Sequence, residues 1–110
     1  MMRAGSAVKV LLVCSAGMST SLLAQAMQAA AAAQGRALEV VSASASELPE
    51  ALEGVAAALV APQVRHRFSH LVALCQEAGV GAALIEPQVY GRVDGPAALA
   101  QALALAGAQP

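Results

Sequence analysis

The chain has 110 residues, which fits one compact domain. It is 58% hydrophobic but only 2% aromatic, so it offers no tryptophan-rich sugar platform and no stacking surface for nucleic acid. Its formal net charge is −1 with no basic stripe, which argues against binding a nucleic-acid backbone.

Residues 1–7 read as a flexible leader. Lys9 and the lack of a long apolar region make the start a poor secretory signal. Val8 to Val13 is short, β-branched and nearly all apolar, the pattern of a buried strand and far too short to cross a bilayer. It ends in Cys14-Ser15-Ala16-Gly17-Met18-Ser19-Thr20-Ser21, a loop of small and hydroxyl residues. A helix is expected from about Ser19 to Gln34, with Leu23, Met27 and Ala30 on its apolar face and Gly35 as its stop. Leu38–Ala43 reads as a second strand, and Ser46 as the cap of a short helix through Glu50. Val55–Val60 reads as a third strand closed by Pro62. The next helix is expected over Val64–Ala78, where Phe68, Leu71, Val72 and Cys75 share one face. Gly81–Ile85 is the fourth strand. A loop is expected from Glu86 through Gly95, and Pro96 opens the last helix, with Leu99, Ala102, Leu103 and Ala106 on one face. The domain is taken as 8–106, with 107–110 as a tail.

Strands alternating with helices, the strands nearly continuous in apolar residues, imply an α/β domain. It would have a single four-stranded parallel sheet, doubly wound, with helices on both faces. Such sheets bind ligands beyond the carboxyl ends of their strands, where Cys14, Pro62 and Glu86 fall. Two cysteines without a secretory signal suggest thiols in a reducing cytosol rather than a disulfide.

The first of these strand ends is the informative one. A thiol stands where a buried strand gives way to a helix. Gly17 permits unusual dihedrals, and the loop amides together with the positive end of the helix dipole suit an anion. The same field favours a thiolate. Ser15, Ser19, Thr20 and Ser21 add hydroxyl donors. A nucleophilic thiolate in a phosphate cradle suggests a phosphocysteine. The competing reading is a buried, inert cysteine beside an ordinary turn.

The loop Cys14-Ser15-Ala16-Gly17-Met18-Ser19-Thr20-Ser21 resembles the active-site loop of the lactose/cellobiose/chitobiose-type IIB proteins of sugar phosphotransferase systems. Pro62-Gln63-Val64 and Tyr90-Gly91-Arg92-Val93-Asp94-Gly95 are similar to two further segments of that family, in the same order and spacing from about Val8 to Leu105. The resemblance implies a phosphoryl relay. A phosphohistidine on a IIA protein would load Cys14, and the group would pass to a sugar held by a membrane-embedded IIC permease. Cellobiose, chitobiose or lactose would be the sugar, and the protein would work in the cytoplasm, peripheral to the membrane through IIC. No cofactor or metal is implied. The phosphate-binding residues would be Ser15, Ala16, Gly17, Met18, Ser19 and Thr20, with Ser21, Pro62, Gln63, Arg65 and Tyr90 as rim or partner contacts.

The fold would be shared with the low-molecular-weight tyrosine phosphatases, and a cysteine phosphatase of that kind is the main alternative. Those enzymes carry a phosphate-clamping arginine six positions after the cysteine, where this chain has Thr20. They also need a general acid; Asp94 is the only aspartate, and Glu86, before Pro87, is at best a weak substitute. A non-catalytic anion-binding regulatory module is the third reading. Cys75 is expected in the core. His66 and His70, four residues apart, lack a third metal ligand and read as a solvated face. Arg65 and Arg67 fit either phosphate contact or plain solubility, and Asp94 reads as a helix cap.

Overall fold

The computed structural model describes residues 7–15 and 20–107. Residues 1–6 of the expected leader, residues 108–110 of the tail, and Ala16, Gly17, Met18 and Ser19 of the loop lie outside the described residues.

Val8–Cys14 forms strand β1, Leu38–Ser44 β2, Ala57–Val60 β3 and Gly81–Leu84 β4. They build one parallel sheet in the order β2-β1-β3-β4. The helices are α1 (Ser21–Ala33), α2 (Phe68–Glu77), α3 (Pro87–Gly91) and α4 (Gly95–Leu105). The chain thus shows the expected parallel α/β architecture.

Strand side chains alternate between the two faces. Val10 and Leu12 pack with Leu23 and Met27 of α1 and with Ala98 and Ala102 of α4. Leu11 and Val13 point the other way, into a core with Leu71 and Cys75 of α2. Because β1 is covered on both faces, every residue from Val10 to Cys14 is buried. The outer strands are tied to helices by glutamines. Gln28 of α1 accepts from the Val40 amide at 3.2 Å, and Gln101 of α4 donates to the Leu84 carbonyl at 2.8 Å. These bonds satisfy strand groups at the edge of the sheet.

Four local expectations are corrected. On α1, Ala31 takes the fully buried position and Ala30 is only partly covered, since Leu23, Met27 and Ala31 follow an i, i+4, i+8 row. After β2, Ser44 and not Ser46 closes the turn. Glu47 accepts from the Ser44 amide at 3.5 Å and from its hydroxyl at 3.2 Å, over a short 3-10 turn Ala45–Glu47. The spacing Ser44-x-x-Glu47 is the capping-box pattern. The segment after β3 starts earlier than Val64, as a 3-10 stretch over Pro62–Arg67, because Pro62 is fit for the first helical position. Val64 is buried in the α2-side core with non-helical dihedrals, so α2 proper begins at Phe68. Between Glu86 and Gly95, where a loop was expected, Pro87 opens the short helix α3. Five residues are too few to display a helical period.

Two backbone positions at the start of α4 make opposite demands. At Gly95 an added Cβ would lie 2.5 Å from the carbonyl carbon and 2.9 Å from the Cβ of Ala26, so α4 approaches α1 by glycine contact. At Val93 the φ is 53°, a left-handed conformation that a β-branched residue adopts only with strain. Gly95→Ala is therefore expected to cost about 2–3 kcal/mol through overpacking. Val93→Gly is expected to gain about 0.5–1 kcal/mol. Denaturant unfolding checks both. Equal effects of the two changes would contradict this packing.

Candidate functional site

The strand order places a switch point at β1. The chain leaves β1 for β2 on one side and then crosses to β3 on the other. The crevice beyond the carboxyl ends of β1 and β3 is where such sheets accept ligands. Cys14 is the last residue of β1, and Ala61 donates its amide to the Val13 carbonyl at 2.8 Å, so Pro62 follows directly beside it. The Ile85 amide bonds the Val60 carbonyl at 2.9 Å, which brings Glu86 and Pro87 to the same end.

Cys14 shares its side of β1 with Val10 and Leu12, the face that α1 and α4 cover. Its side chain therefore lies beneath the start of α1, where helix amides have no intrahelical partner and the dipole is positive. The residue is fully buried, and its Sγ lies 4.0 Å from the Oγ1 of Thr20. Thr20 is fully buried as well and occupies the N-cap position of α1, but its side chain makes no capping bond. Its hydroxyl instead donates to the Oγ of Ser42 at 2.8 Å. Ser15 and Ser21, on either side of the undescribed segment, are exposed. The arrangement is a thiol with a hydroxyl beside it and a helix N-terminus above it, which suits holding an anion on sulfur.

Pro62, Gln63, Arg65 and Tyr90 come together. With His66 and Pro87 they line one open groove at the ends of β3 and β4. Arg65, His66 and Arg67 are exposed, and Tyr90 is partly buried against the α1-side core. His66 belongs to the 3-10 stretch and His70 to α2, so they do not share one regular helix. Among the described residues, no three His, Cys, Asp or Glu side chains are grouped to hold a metal ion. Asp94 caps α4 by accepting from the Ala97 amide at 3.1 Å, as the sequence suggested. Glu86 is exposed and accepts from Gln88 at 3.0 Å.

The second thiol contrasts with the first. Cys75 is buried on α2 among Leu11, Val13 and Leu71, and burial pushes its pKa up from the ordinary value. Sequence reasoning missed Ser42. Its signal was a hydroxyl two residues before the strand's end, in register with core residue Leu12.

The chain matches the family described as PTS system, lactose/cellobiose specific IIB subunit, over residues 9–101. It is similar in fold to the lactose-specific IIB component domain of the phosphoenolpyruvate:carbohydrate phosphotransferase system from Streptococcus pneumoniae. The TM-score there is 0.80 at 19% identity, covering 91% of this chain and 98% of that one. It is also similar to the cellobiose-specific phosphotransferase IIB component protein from Borrelia burgdorferi, with a TM-score of 0.78 at 27% identity, covering 93% of this chain and 94% of that one. No curated protein matches the chain.

Asp94→Ala is expected to cost about 1 kcal/mol through the lost cap while leaving any chemistry at Cys14 unchanged. Unfolding curves and thiol labelling of the same variant check this, and a large change in Cys14 labelling would give Asp94 a role beyond the cap. Cys75 is expected to resist alkylation at neutral pH in the native protein and to react only on unfolding. Peptide mapping after iodoacetamide treatment reads it, and rapid native labelling would show that the α2-side core is open.

Proposed function

Since the chain belongs to the family of lactose/cellobiose-specific IIB subunits of the phosphotransferase system, we propose that it carries a phosphoryl group on the Sγ of Cys14 between a IIA phosphohistidine and a sugar held by a IIC permease. The supporting observation is the position of that sulfur, at the end of β1 by the switch point, under the start of α1 and 4.0 Å from the Thr20 hydroxyl.

In the first transfer the Cys14 thiolate attacks phosphorus as the N–P bond of the phosphohistidine breaks, and the bond pair returns to the imidazole nitrogen. In the second, a sugar hydroxyl oxygen attacks, the S–P bond breaks, the sulfur leaves as thiolate and the hydroxyl proton passes to solvent or a partner base. Little covalent work falls to the protein, whose task is to position the group and to stabilise charge on the three equatorial oxygens. The backbone amides of Ser15, Ala16, Gly17, Met18, Ser19 and Thr20 are proposed for that task, together with the N-terminus of α1. Pro62, Gln63, Arg65 and Tyr90, in their common groove, are proposed as the rim that meets a partner, together with exposed Ser21. Among the described residues no helix is long and apolar enough to span a membrane. The proposed place of work is the cytoplasmic face, docked on IIC. The relative at 27% identity is cellobiose-specific, which supports a β-linked disaccharide such as cellobiose, chitobiose or lactose.

The hydrolase alternative fares worse. Thr20 stands where the arginine clamp would be, and the only aspartate is engaged in capping α4. A phosphocysteine without clamp or acid is expected to persist until a sugar arrives.

Incubation with phosphorylated IIA, followed by mass spectrometry of peptides, is expected to locate one phosphoryl group on Cys14. Cys14→Ser is expected to lower transfer roughly a thousandfold with the fold intact. Label on another residue, undiminished sugar phosphorylation by Cys14→Ser, or brisk aryl-phosphate turnover by the isolated protein would overturn the carrier reading.

A further inference from the structure

Thr20 has one hydroxyl proton and two neighbours that compete for it. A threonine at an N-cap ordinarily turns its oxygen to the first helical amides. Here that bond is absent, and the buried side chain faces inward. It donates to Ser42 at 2.8 Å, while the Cys14 sulfur stands 4.0 Å from the same oxygen. Ser42 lies on β2 in register with Leu12, and Ser44 two residues on is in register with Cys14. The sheet therefore carries Ser42 and Cys14 on the same face, with Thr20 next to both.

The direction of the Thr20–Ser42 bond decides what Thr20 offers the sulfur. With its proton aimed at Ser42, Thr20 presents only lone pairs toward Cys14. Those lone pairs accept from a thiol S–H and repel a thiolate. A hydrogen bond to the neutral form of an acid opposes its ionisation, and one to the charged form favours it.

We propose that Ser42 is a positioning residue that competes with Cys14 for the hydrogen bond of the Thr20 hydroxyl, favouring the protonated thiol at rest; once the S–H proton has passed to solvent or to the imidazole of the arriving phosphohistidine, Thr20 turns its O–H from Ser42 and donates a hydrogen bond to the sulfur. The exchange needs a turn about the Thr20 Cβ–Oγ1 bond and a shortening of the sulfur contact, and it breaks no covalent bond. It gives a carrier a means of keeping its nucleophile quiet between transfers. This consequence rests on the carrier reading, whereas the competition for the proton does not.

Among the described residues, few charged side chains belong to the elements around the thiol. α1, β3 and α4 carry no charged residue. β1 carries Lys9 and β2 carries Glu39, paired toward the amino ends of their strands. Glu47, bonded to Ser44 beside Cys14, is exposed, as are Arg65, His66 and Arg67 after β3. All of them are unchanged in the variants below, so differences between variants report the hydroxyls.

The test is a pH titration of thiolate ultraviolet absorbance in the full chain with Cys75→Ala as background, so that only Cys14 titrates as a thiol. It needs no phosphoryl donor, so it stays readable even if transfer from IIA fails. Ser42→Ala is expected to lower the Cys14 midpoint by about half to one pH unit, because Thr20 becomes free to donate to sulfur. Thr20→Val, which removes the shared donor, is expected to raise it by about one unit. Ser42→Thr keeps a hydroxyl on a strand and is expected to titrate with the parent. An unchanged or raised midpoint in Ser42→Ala would overturn the proposal. So would Ser42→Thr moving together with Ser42→Ala, since packing and not the hydroxyl would then be responsible.

Discussion

The structure depends on the burial of β1 on both faces. A parallel strand paired on both sides and covered by helices above and below has no freedom of register, because a slip of one residue would exchange its two cores. Val10 and Leu12 commit one face to α1 and α4, and Leu11 and Val13 commit the other to α2. The face that Cys14 takes follows from that alternation. The proposed nucleophile is thereby mounted on the end of a buried strand.

Burial by itself does not set the chemistry of the two thiols. Cys14 and Cys75 are both fully buried. Cys75 looks into hydrocarbon, where a thiolate has no partner, and its pKa rises by desolvation. Cys14 has the hydroxyl of Thr20 beside it, and through that hydroxyl a second one on β2. The difference comes from position: one thiol lies in the middle of a helix face, the other at the end of a strand where a helix begins. The same strand end sits at the switch in strand order, where α/β sheets open a crevice for ligands.

Much of this was legible in the sequence. Short apolar strands separated by helical periods gave the parallel sheet, and the loop after Val13 marked the end of the first strand, where the proposed site lies. Asp94 could be read as a cap because it precedes Gly95-Pro96, a helix start. What escaped was of two kinds. Short segments such as Pro87–Gly91 and Ala45–Glu47 hold too few residues for periodicity to register, and only their Pro and Ser-x-x-Glu starts mark them. Long-range pairs are the other kind. Thr20 and Ser42 are 22 residues apart, and nothing in either local stretch says that they bond. The registry of β2 against β1 brings them together, and registry is a property of the folded sheet. The convergence of Pro62, Gln63, Arg65 and Tyr90 on one groove likewise needed the alignment of β3 with β4.

The central claim is that one sulfur atom holds the phosphoryl group between donor and sugar. A single-turnover phosphorus NMR time course, with phosphorylated IIA and sugar-loaded IIC membranes, follows that atom most directly. The account predicts a phosphothiol resonance that grows as the phosphohistidine signal falls and then decays at the rate at which sugar phosphate accumulates. Sugar phosphate that accumulates faster than the phosphothiol signal turns over would contradict it.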